Sequence, residues 1–534
     1  MNQMTTPPRI EIIPASAPFS ETQRLWLNGF LVGMLGLDGT TPLSPEQTSA
    51  MLGPTAGGDD GETPWHDQTI PIADRMKLAE GRPLRRRMMA AMAQQDCGQC
   101  GYNCNDYSDA IAGKGEARLN LCVPGGKETA RMLKSLYEEL DKTPAAASSA
   151  SVAAAVAVST TTAEPGRSRD NPVAATFVSR HLLNKQGSEK ETWHIDFDLS
   201  GAGLDYVVGD SFGIFAKNHI GLVDQIIALL GASHTTEVRG KTLRDVLSED
   251  VSLAPAPDSL FELFSYLTGG AQREKARALA QGEDPDGDAA TLDVMAVLQK
   301  FANVRPHPEA FVEALEPLQP RLYSISSSHN ATPGKLSLTV DCVRYVVGKR
   351  KRLGLASTFL AERINPGDEV KVYVQKAHGF ALPPDPKTPI IMIGPGTGIA
   401  PFRAFLLDRK ATGAQGKNWL FFGHQRSDCD FFYSDELNAM KTSGLLTRLS
   451  LAWSRDGTKK FYVQDRMREV GRELWTWLAE GANIYICGDA KRMAKDVERT
   501  LVDIVAQFGA RSTDEAVSFV GELKKKGRFQ QDVY

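Results

Sequence analysis

The chain has 534 residues, which at about 150 residues per domain predicts three or four domains. Hydrophobic residues make up 42% and charged residues 24%, and 61 basic against 65 acidic side chains leave a net charge of −4, which excludes a fibrous or disordered chain and one that grips nucleic acid by bulk electrostatics. Seven cysteines are too few for a disulfide scaffold, yet Cys97, Cys100, Cys104 and Cys122 fall within 26 residues while Cys342, Cys429 and Cys487 stand alone.

No segment approaches the roughly 20 apolar residues of a bilayer span, and Met1 to Ser16 lacks the basic start and apolar run of a secretory signal. The expectation is a cytoplasmic chain without membrane contact, whose clustered thiols stay reduced. Residues 1–75 are rich in Pro, Gly and Thr apart from one amphipathic helix, capped by Ser20 with Leu25, Phe30, Leu31, Met34 and Leu35 on its apolar face. Residues 76–143 carry the cysteines and then a helical pattern through Leu133, Leu136 and Leu140. Residues 144–170 follow, and from Pro144 to Arg169 Ala, Ser, Thr and Val dominate; with few large side chains to pack, they predict a flexible tether, an Ala-rich helix being the weaker alternative.

Alternation begins after the tether. Trp193, Ile195, Phe197 and Leu199 alternate with His194, Asp196 and Asp198; Leu336, Leu338 and Val340 alternate with Ser337 and Thr339, and Val370, Val372 and Val374 repeat the pattern. Period two with one apolar face predicts an antiparallel barrel or sandwich over residues 171–386, interrupted at 217–318 by a mostly helical insertion. Over residues 387–534 the pattern changes to short continuous apolar runs, Ile390 to Ile393, Trp419 to Phe422 and Ile484 to Ile486, separated by helical stretches. Strands buried on both faces and alternating with helices predict a doubly wound α/β domain.

Gly394-Pro395-Gly396-Thr397-Gly398 follows one such strand and opens a helix, as a phosphate-binding turn does, although many glycine turns only link elements. The other strands end at Gly423, Ser454-Arg455 and Cys487-Gly488-Asp489, and ligands sit at the carboxyl ends of parallel strands. Ser454, Arg455, Lys460 and Tyr462 supply cations and hydroxyls for a 2′-phosphate, pointing to NADP(H) over NAD(H); a solvated basic loop is the plain alternative. Arg321-Leu322-Tyr323-Ser324 offers a cation, an aromatic ring and a hydroxyl that suit a flavin, or equally an ordinary strand with polar edges.

These segments, with TVDCVRY at 339–345, GLAS at 354–357, GPGTGIAPFRAF at 394–405, NWLFFG at 418–423, LAWSRD at 451–456, FYVQD at 461–465, CGDAKRMAKDVE at 487–498 and the terminal Asp532-Val533-Tyr534, resemble the FAD- and NADPH-binding half of the sulfite reductase flavoprotein subunits, in the diflavin, ferredoxin–NADP reductase-like family. The resemblance spans residues 171 to 534, and PFSETQRLWLNGFLVGML near the start resembles the beginning of the same flavoproteins. It implies that Arg321, Leu322, Tyr323 and Ser324 bind FAD, that Thr339, Val340, Asp341 and Tyr345 line the flavin, and that Gly354, Leu355, Ala356 and Ser357 hold its pyrophosphate, Leu355 standing where glycine is usual. It implies that Gly396, Thr397, Ser454, Arg455, Lys460, Tyr462, Gln464 and Asp496 bind NADPH, that Tyr534 stacks over the flavin and moves aside for nicotinamide, and that Ser324, Cys487, Asp532 and Tyr534 form the catalytic group. Taken alone, Cys487 would be a buried core thiol.

The family carries an FMN-binding flavodoxin domain between its first helix and the linker, for which residues 40 to 143 are too short and lack the phosphate loop. In its place stand Cys97, Cys100 and Cys104 within eight residues and Cys122 eighteen positions later, followed by Pro124, which suits an iron–sulfur cluster. Zinc is the runner-up, because zinc sites more often use two separated Cys-x-x-Cys knuckles; unliganded structural cysteines come third. The segment resembles the small four-cysteine 4Fe–4S domain of electron-transfer and corrinoid proteins, with one residue fewer between the second and third cysteines.

The fold class expected is therefore multidomain: a small α-helical iron–sulfur domain near the N-terminus, an antiparallel β-barrel FAD domain with a helical insertion, and a doubly wound α/β NADP domain. The function expected is transfer of electrons from NADPH through FAD and a 4Fe–4S cluster to a haemoprotein reductase partner, most simply that of sulfite reductase, with the tether letting the cluster domain swing. The alternatives are a donor to nitrate or nitrite reductase, a general NADPH diaphorase, or a redox- or metal-sensing binding module.

Overall fold

Among the described residues, four helices precede the first strand: α1 (Ile72–Leu78), α2 (Leu84–Ala91), α3 (Cys104–Ala112) and α4 (Gly126–Lys142). The computed structural model describes residues 63–68, 70–95, 98, 100–142, 164–377 and 379–534. The expected helix at Ser20 to Leu35, Cys97 and most of the expected tether lie outside the described residues. Asn103 starts α3 by accepting a hydrogen bond from the Asp106 N–H at 2.7 Å. The stripe on α4 buries Leu133 and Leu136 against Met88, Met92, Tyr107 and Ile111, a separate small core.

The barrel is built from β1 (Val173–Leu182), β2 (Thr192–Asp198), β3 (Ser211–Ile214), β4 (Arg321–Ser324), β5 (Lys335–Asp341) and β8 (Glu369–Gln375), with the hairpin β6 (Arg344–Val347) and β7 (Arg350–Leu353) at its side. The order is β4-β3-β8-β1-β2-β5, all antiparallel. A bridge between Ile325 and Leu338 and the Ser326 N–H donating to Ser337 O at 2.8 Å bring the two end strands together and close the sheet. Phe177, Ile195, Phe197, Phe212, Leu336, Leu338 and Val372 fill the interior. The segment at Arg321 is itself a barrel strand.

Between β3 and β4 stand α5 (Ile220–Leu230), α6 (Leu243–Glu249), α7 (Asp258–Leu267), α8 (Gly270–Ala280), α9 (Val294–Lys300) and α10 (Pro308–Glu313), the helical insertion, with its own core around Leu260, Phe264, Phe301 and Phe311.

The second sheet joins β9 (Ile390–Ile393), β10 (Asn418–His424), β11 (Arg448–Trp453), β12 (Asn483–Gly488) and β13 (Phe529–Val533), all parallel, in the order β11-β10-β9-β12-β13. Helices α11 (Ala400–Ala411), α12 (Ser434–Thr442), α13 (Val463–Glu469), α14 (Gly471–Ala479), α15 (Met493–Phe508) and α16 (Thr513–Lys525) cover it. Ile391 and Ile393 enter the core on one face while Ile390 and Met392 enter the core on the other, which is why this strand is apolar without alternation. β13 (FQQDV) carries only two apolar residues, and the pattern did not announce it; it joins the sheet edge because its backbone pairs with β12, Cys487 opposite Asp532.

Two departures from the expected pattern mark contacts between parts. His194 and Thr339, expected to face solvent, are 5% and 4% exposed because Tyr433 of the second domain covers them, its hydroxyl bonded to His194 Nδ1 at 3.0 Å and Thr339 Oγ1 at 2.7 Å. The end of the expected tether is also fixed: the Val374 N–H donates to Gly166 O at 2.8 Å, and Arg167 pairs with Asp205, so residues 164–170 belong to the barrel's wall. The cysteine module docks on the rest. Arg131 on α4 binds Asp258 on α7 bidentately at 2.7 and 2.9 Å, and the Lys127 ammonium lies 5.2 Å from the centre of the Phe261 ring. Gly98, at φ +69, brings its loop so close to β8 that a β-carbon there would stand 3.3 Å from Gln375 Cγ. No helix among the described residues is long and apolar enough to cross a membrane.

Candidate active site

A cleft of about 980 Å³ opens between the barrel, the insertion and the carboxyl ends of the parallel strands. Arg321, Leu322, Tyr323 and Ser324 line it from β4, Thr339, Val340 and Asp341 from β5, Tyr345 from the hairpin, and Gly354, Leu355, Ala356 and Ser357 from a helical turn, with Thr397, Asp532 and Tyr534 contributed by the second domain. Fifteen positions spread over more than 200 residues thus meet in one place.

Its chemistry suits a dinucleotide. Arg321 donates only to the backbone carbonyls of Gln319 and Pro320, at 3.2 and 3.3 Å. Arg363 donates to Lys217 O at 2.7 Å and Leu355 O at 2.8 Å, and its buried Nε has no partner. Burial lowers the pKa of both guanidinium groups. Two cations with no carboxylate partner among the described residues are what a pyrophosphate would neutralise, so the cleft fits FAD. Val343 N donates to Ser357 Oγ at 3.1 Å and Gly354 N to Val343 O at 2.9 Å, which ties the helical turn to the base of the hairpin.

Where the two domains meet, Ser324 Oγ donates to Asp532 Oδ2 at 2.6 Å, and Cys487 Sγ lies 3.7 Å from the same oxygen. Strand pairing makes this cluster: β12 and β13 set Cys487 beside Asp532, and β4 supplies Ser324 from the barrel. Cys487 is wholly buried, and burial raises its thiol well above the usual range; burial likewise raises Asp532. Both shifts favour the neutral forms. Tyr534 is held at the cleft by its backbone, N–H to Gly488 O at 3.0 Å and O from the Ala490 N–H at 3.2 Å, and its hydroxyl bonds Thr397 Oγ1 at 2.8 Å.

The glycine turn Gly396–Ile399 lies between β9 and α11. A β-carbon at Gly398 would fall 2.1 Å from Cys487 O, so only glycine lets this turn lie against β12. Ser454 is pinned to the neighbouring strand, its N–H and Oγ donating to His424 O at 2.9 and 3.2 Å. The adjacent Arg455 pairs with Glu189 of the barrel's β1–β2 loop. At the start of α13 the Asp465 carboxylate accepts from the Tyr462 N–H at 2.9 Å while the Tyr462 side chain is exposed, and Asp496 lies in the first turn of α15. Gly396, Ser454, Arg455, Lys460, Tyr462, Gln464, Asp496 and Cys487 do not line the 980 Å³ cleft; all but Cys487, which sits beneath it, belong to the strand ends and helix starts of the second domain.

The cleft has lining that the motifs missed. Asn218 and His219 come from the insertion, and Arg350 and Arg352 come from the hairpin, both paired with Asp293. The basic run Lys349 to Arg352 was the available signal.

In the small module Cys100, Cys104 and Cys122 line one closed pocket with Met92, Ala93, Tyr102, Tyr107 and Pro124. Burial pushes the Cys100 thiol up to about 11 and raises Cys122, and the buried Arg75 lies within electrostatic reach of Cys104 and Cys122. Converging thiols, an apolar wall and a nearby cation fit a thiolate-bound metal group, whose binding displaces the thiol protons.

Residues 392–499 match the family model of the oxidoreductase NAD-binding domain, and residues 165–296 and 242–359 match that of the FAD binding domain. Barrel, glycine turn and cleft therefore define an oxidoreductase-type chain with an FAD-binding and an NAD-binding domain. It is 42% identical over 367 residues to the NADPH sulfite reductase flavoprotein alpha-component of Photorhabdus laumondii subsp. laumondii (68% of this chain, 61% of that protein). Against the proteins of the same name from Klebsiella pneumoniae and Serratia proteamaculans it is 40% identical over 443 residues (80% and 72%) and 43% identical over 381 (69% and 61%). The chain belongs to the family of sulfite reductase flavoprotein alpha-components, and it spans 61% of the length of the Photorhabdus and Serratia members.

Proposed function

We propose that the chain is an NADPH-dependent, FAD-containing oxidoreductase that delivers electrons through its four-cysteine module to a partner haemoprotein, that of sulfite reductase. The observation that carries this is the cluster of Ser324, Cys487 and Asp532 at the meeting of the two domains, with Tyr534 over it. Bound FAD supplies a hydride acceptor that releases electrons singly, and a 4Fe–4S cluster held by Cys97, Cys100, Cys104 and Cys122 supplies a one-electron carrier.

The chain's own residues do the rest. Arg321 and Arg363 neutralise the pyrophosphate, and Ser324 presents a hydroxyl oriented by Asp532. The neutral Cys487 thiol leaves no anion where hydride crosses, since burial keeps its proton on. Tyr534 excludes water from the cleft until nicotinamide displaces it, which costs its bond to Thr397. Ser454, Arg455, Lys460 and Tyr462 receive the 2′-phosphate, Arg455 exchanging Glu189 for it. The docked pose supports short transfer: Gln375, which the cysteine loop approaches, pairs with Ser211, and Ser211 pairs with Ser324. Two strand spacings of about 4.8 Å separate them.

Anaerobically purified protein should show a flavin spectrum with iron and acid-labile sulfide, and NADPH should bleach it and drive sulfite reduction when the sulfite reductase haemoprotein is added. A single flavin absorbance without iron or sulfide overturns the cluster. Transfer to a nitrite or nitrate reductase but not to the sulfite enzyme overturns the partner, and a flavin that NADPH fails to bleach overturns the reductase.

A further inference from the structure

Among the described residues, outside the cleft and the cysteine module, one cluster of side chains has the composition of a metal site. His181 near the end of β1 and His194 on β2 are cross-strand partners, and Asp196 follows His194 on the same face, opposite Ser179. One ligand atom from each of the three lies within 4.8 Å of the other two. The two imidazoles pack with ring centres 4.6 Å apart, and His194 Nε2 is 2.9 Å from Asp196 Oδ1.

The supporting bonds are already made. The other ring nitrogen of His194 is 3.0 Å from the Tyr433 hydroxyl, which in turn bonds Thr339, and the second oxygen of Asp196 accepts from Ser179 Oγ at 2.8 Å. Metal-ligating histidines and carboxylates carry this kind of outer hydrogen bond, which fixes ring and carboxylate orientation. His194 is 5% exposed and held rigidly, whereas His181 is exposed and leaves a position open to solvent. Arg403, whose charge reaches His181, is itself paired with Glu436 at 2.8 Å and so does not dominate the site.

We propose that His181, His194 and Asp196 bind a divalent transition cation of the zinc class on the outer barrel face, where the barrel meets the nucleotide-binding domain. Two imidazoles and one carboxylate with a water in the fourth place make a set that zinc accepts. Zinc bonds of about 2.0–2.2 Å set tetrahedral ligand atoms roughly 3.3 Å apart, so rotation of the exposed His181 side chain completes the site around the fixed pair. Because Tyr433 belongs to the second domain, the ion would anchor the contact between the two domains. This proposal is independent of the electron-transfer function.

The test is calorimetric titration of the FAD-loaded full chain with Zn²⁺ alone, comparing wild type with His181→Ala, Asp196→Asn and Tyr433→Phe, all of which keep the same cysteines and the buried His194. The wild type should bind one equivalent more than His181→Ala and Asp196→Asn, and Tyr433→Phe should bind it about tenfold more weakly. Co²⁺ occupying that additional equivalent should give visible bands without a thiolate-to-metal charge-transfer band. Equal stoichiometry and affinity in wild type and both ligand variants overturns the site, as does loss in His181→Ala without loss in Asp196→Asn, or a thiolate signature for the additional equivalent.

Discussion

Single side chains set the chemistry at the junction of the domains. Ser324→Ala removes a positioned hydroxyl while its strand neighbours stay in place, so flavin should remain bound while flavin reduction by NADPH in stopped flow slows about 100-fold. Arg455 gives a specificity test with two signs. Arg455→Ala should raise the KM for NADPH by about 10–100-fold, the worth of a charge-assisted bond, and leave that for NADH nearly unchanged. Glu189→Gln, by freeing Arg455, should lower the NADPH KM; equal effects of Arg455→Ala on both nucleotides would refute the 2′-phosphate role. Asp196 offers a pH test. Against the cost of burial, hydrogen bonds to His194 and Ser179 hold its carboxyl down to about 2 from the usual 3.8. A depressed carboxyl stabilises the fold above its unfolded pKa and loses that contribution as pH falls through the folded one. In metal-free buffer Asp196→Asn should therefore cost about 1–2 kcal/mol near pH 7, seen as a lower Tm, with the gap to wild type closing between about pH 4 and pH 2.

At the scale of elements, legibility followed periodicity. β2, β5 and β8 were readable because one face of each fills the barrel, and β9 because both of its faces are covered. β13 was not, since FQQDV has no period, and what recruits it is an open backbone edge on β12. Asp532 on it and Tyr534 just beyond it were identified by resemblance to a family alone. The hairpin arginines were missed for a related reason: Arg350 and Arg352 meet Asp293 only after the insertion has folded over the cleft. The glycine turn gives the sharpest element-level prediction. With Cys487 O in the way of any side chain, Gly398→Ala should displace the turn from β12 and abolish NADPH-dependent flavin reduction, while the flavin spectrum of the barrel persists. An unchanged rate would mean that the turn does not hold the nucleotide.

In the whole molecule the cysteine module rests on the insertion and the barrel through Arg131, Lys127 and the Gly98 loop. Arg131→Glu sets two carboxylates against each other and should loosen docking by roughly 1 kcal/mol or slightly more, seen as a larger radius of gyration in solution scattering that high salt reproduces in the wild type. Composition and pattern alone determined an antiparallel barrel or sandwich with a helical insertion and a doubly wound sheet, because burial on one face or two leaves its period in the chain; closure into a barrel was decided by the fold. Spacing alone also grouped the four cysteines, three of which the structure describes around one pocket. Only the tertiary structure decided which residues meet. Ser324 and Asp532 are 208 positions apart, Arg131 and Asp258 are 127 apart, and His194 and Tyr433 are 239 apart. Such contacts depend on how closed sheets and packed helices bring distant segments together, a relation that local periodicity does not carry.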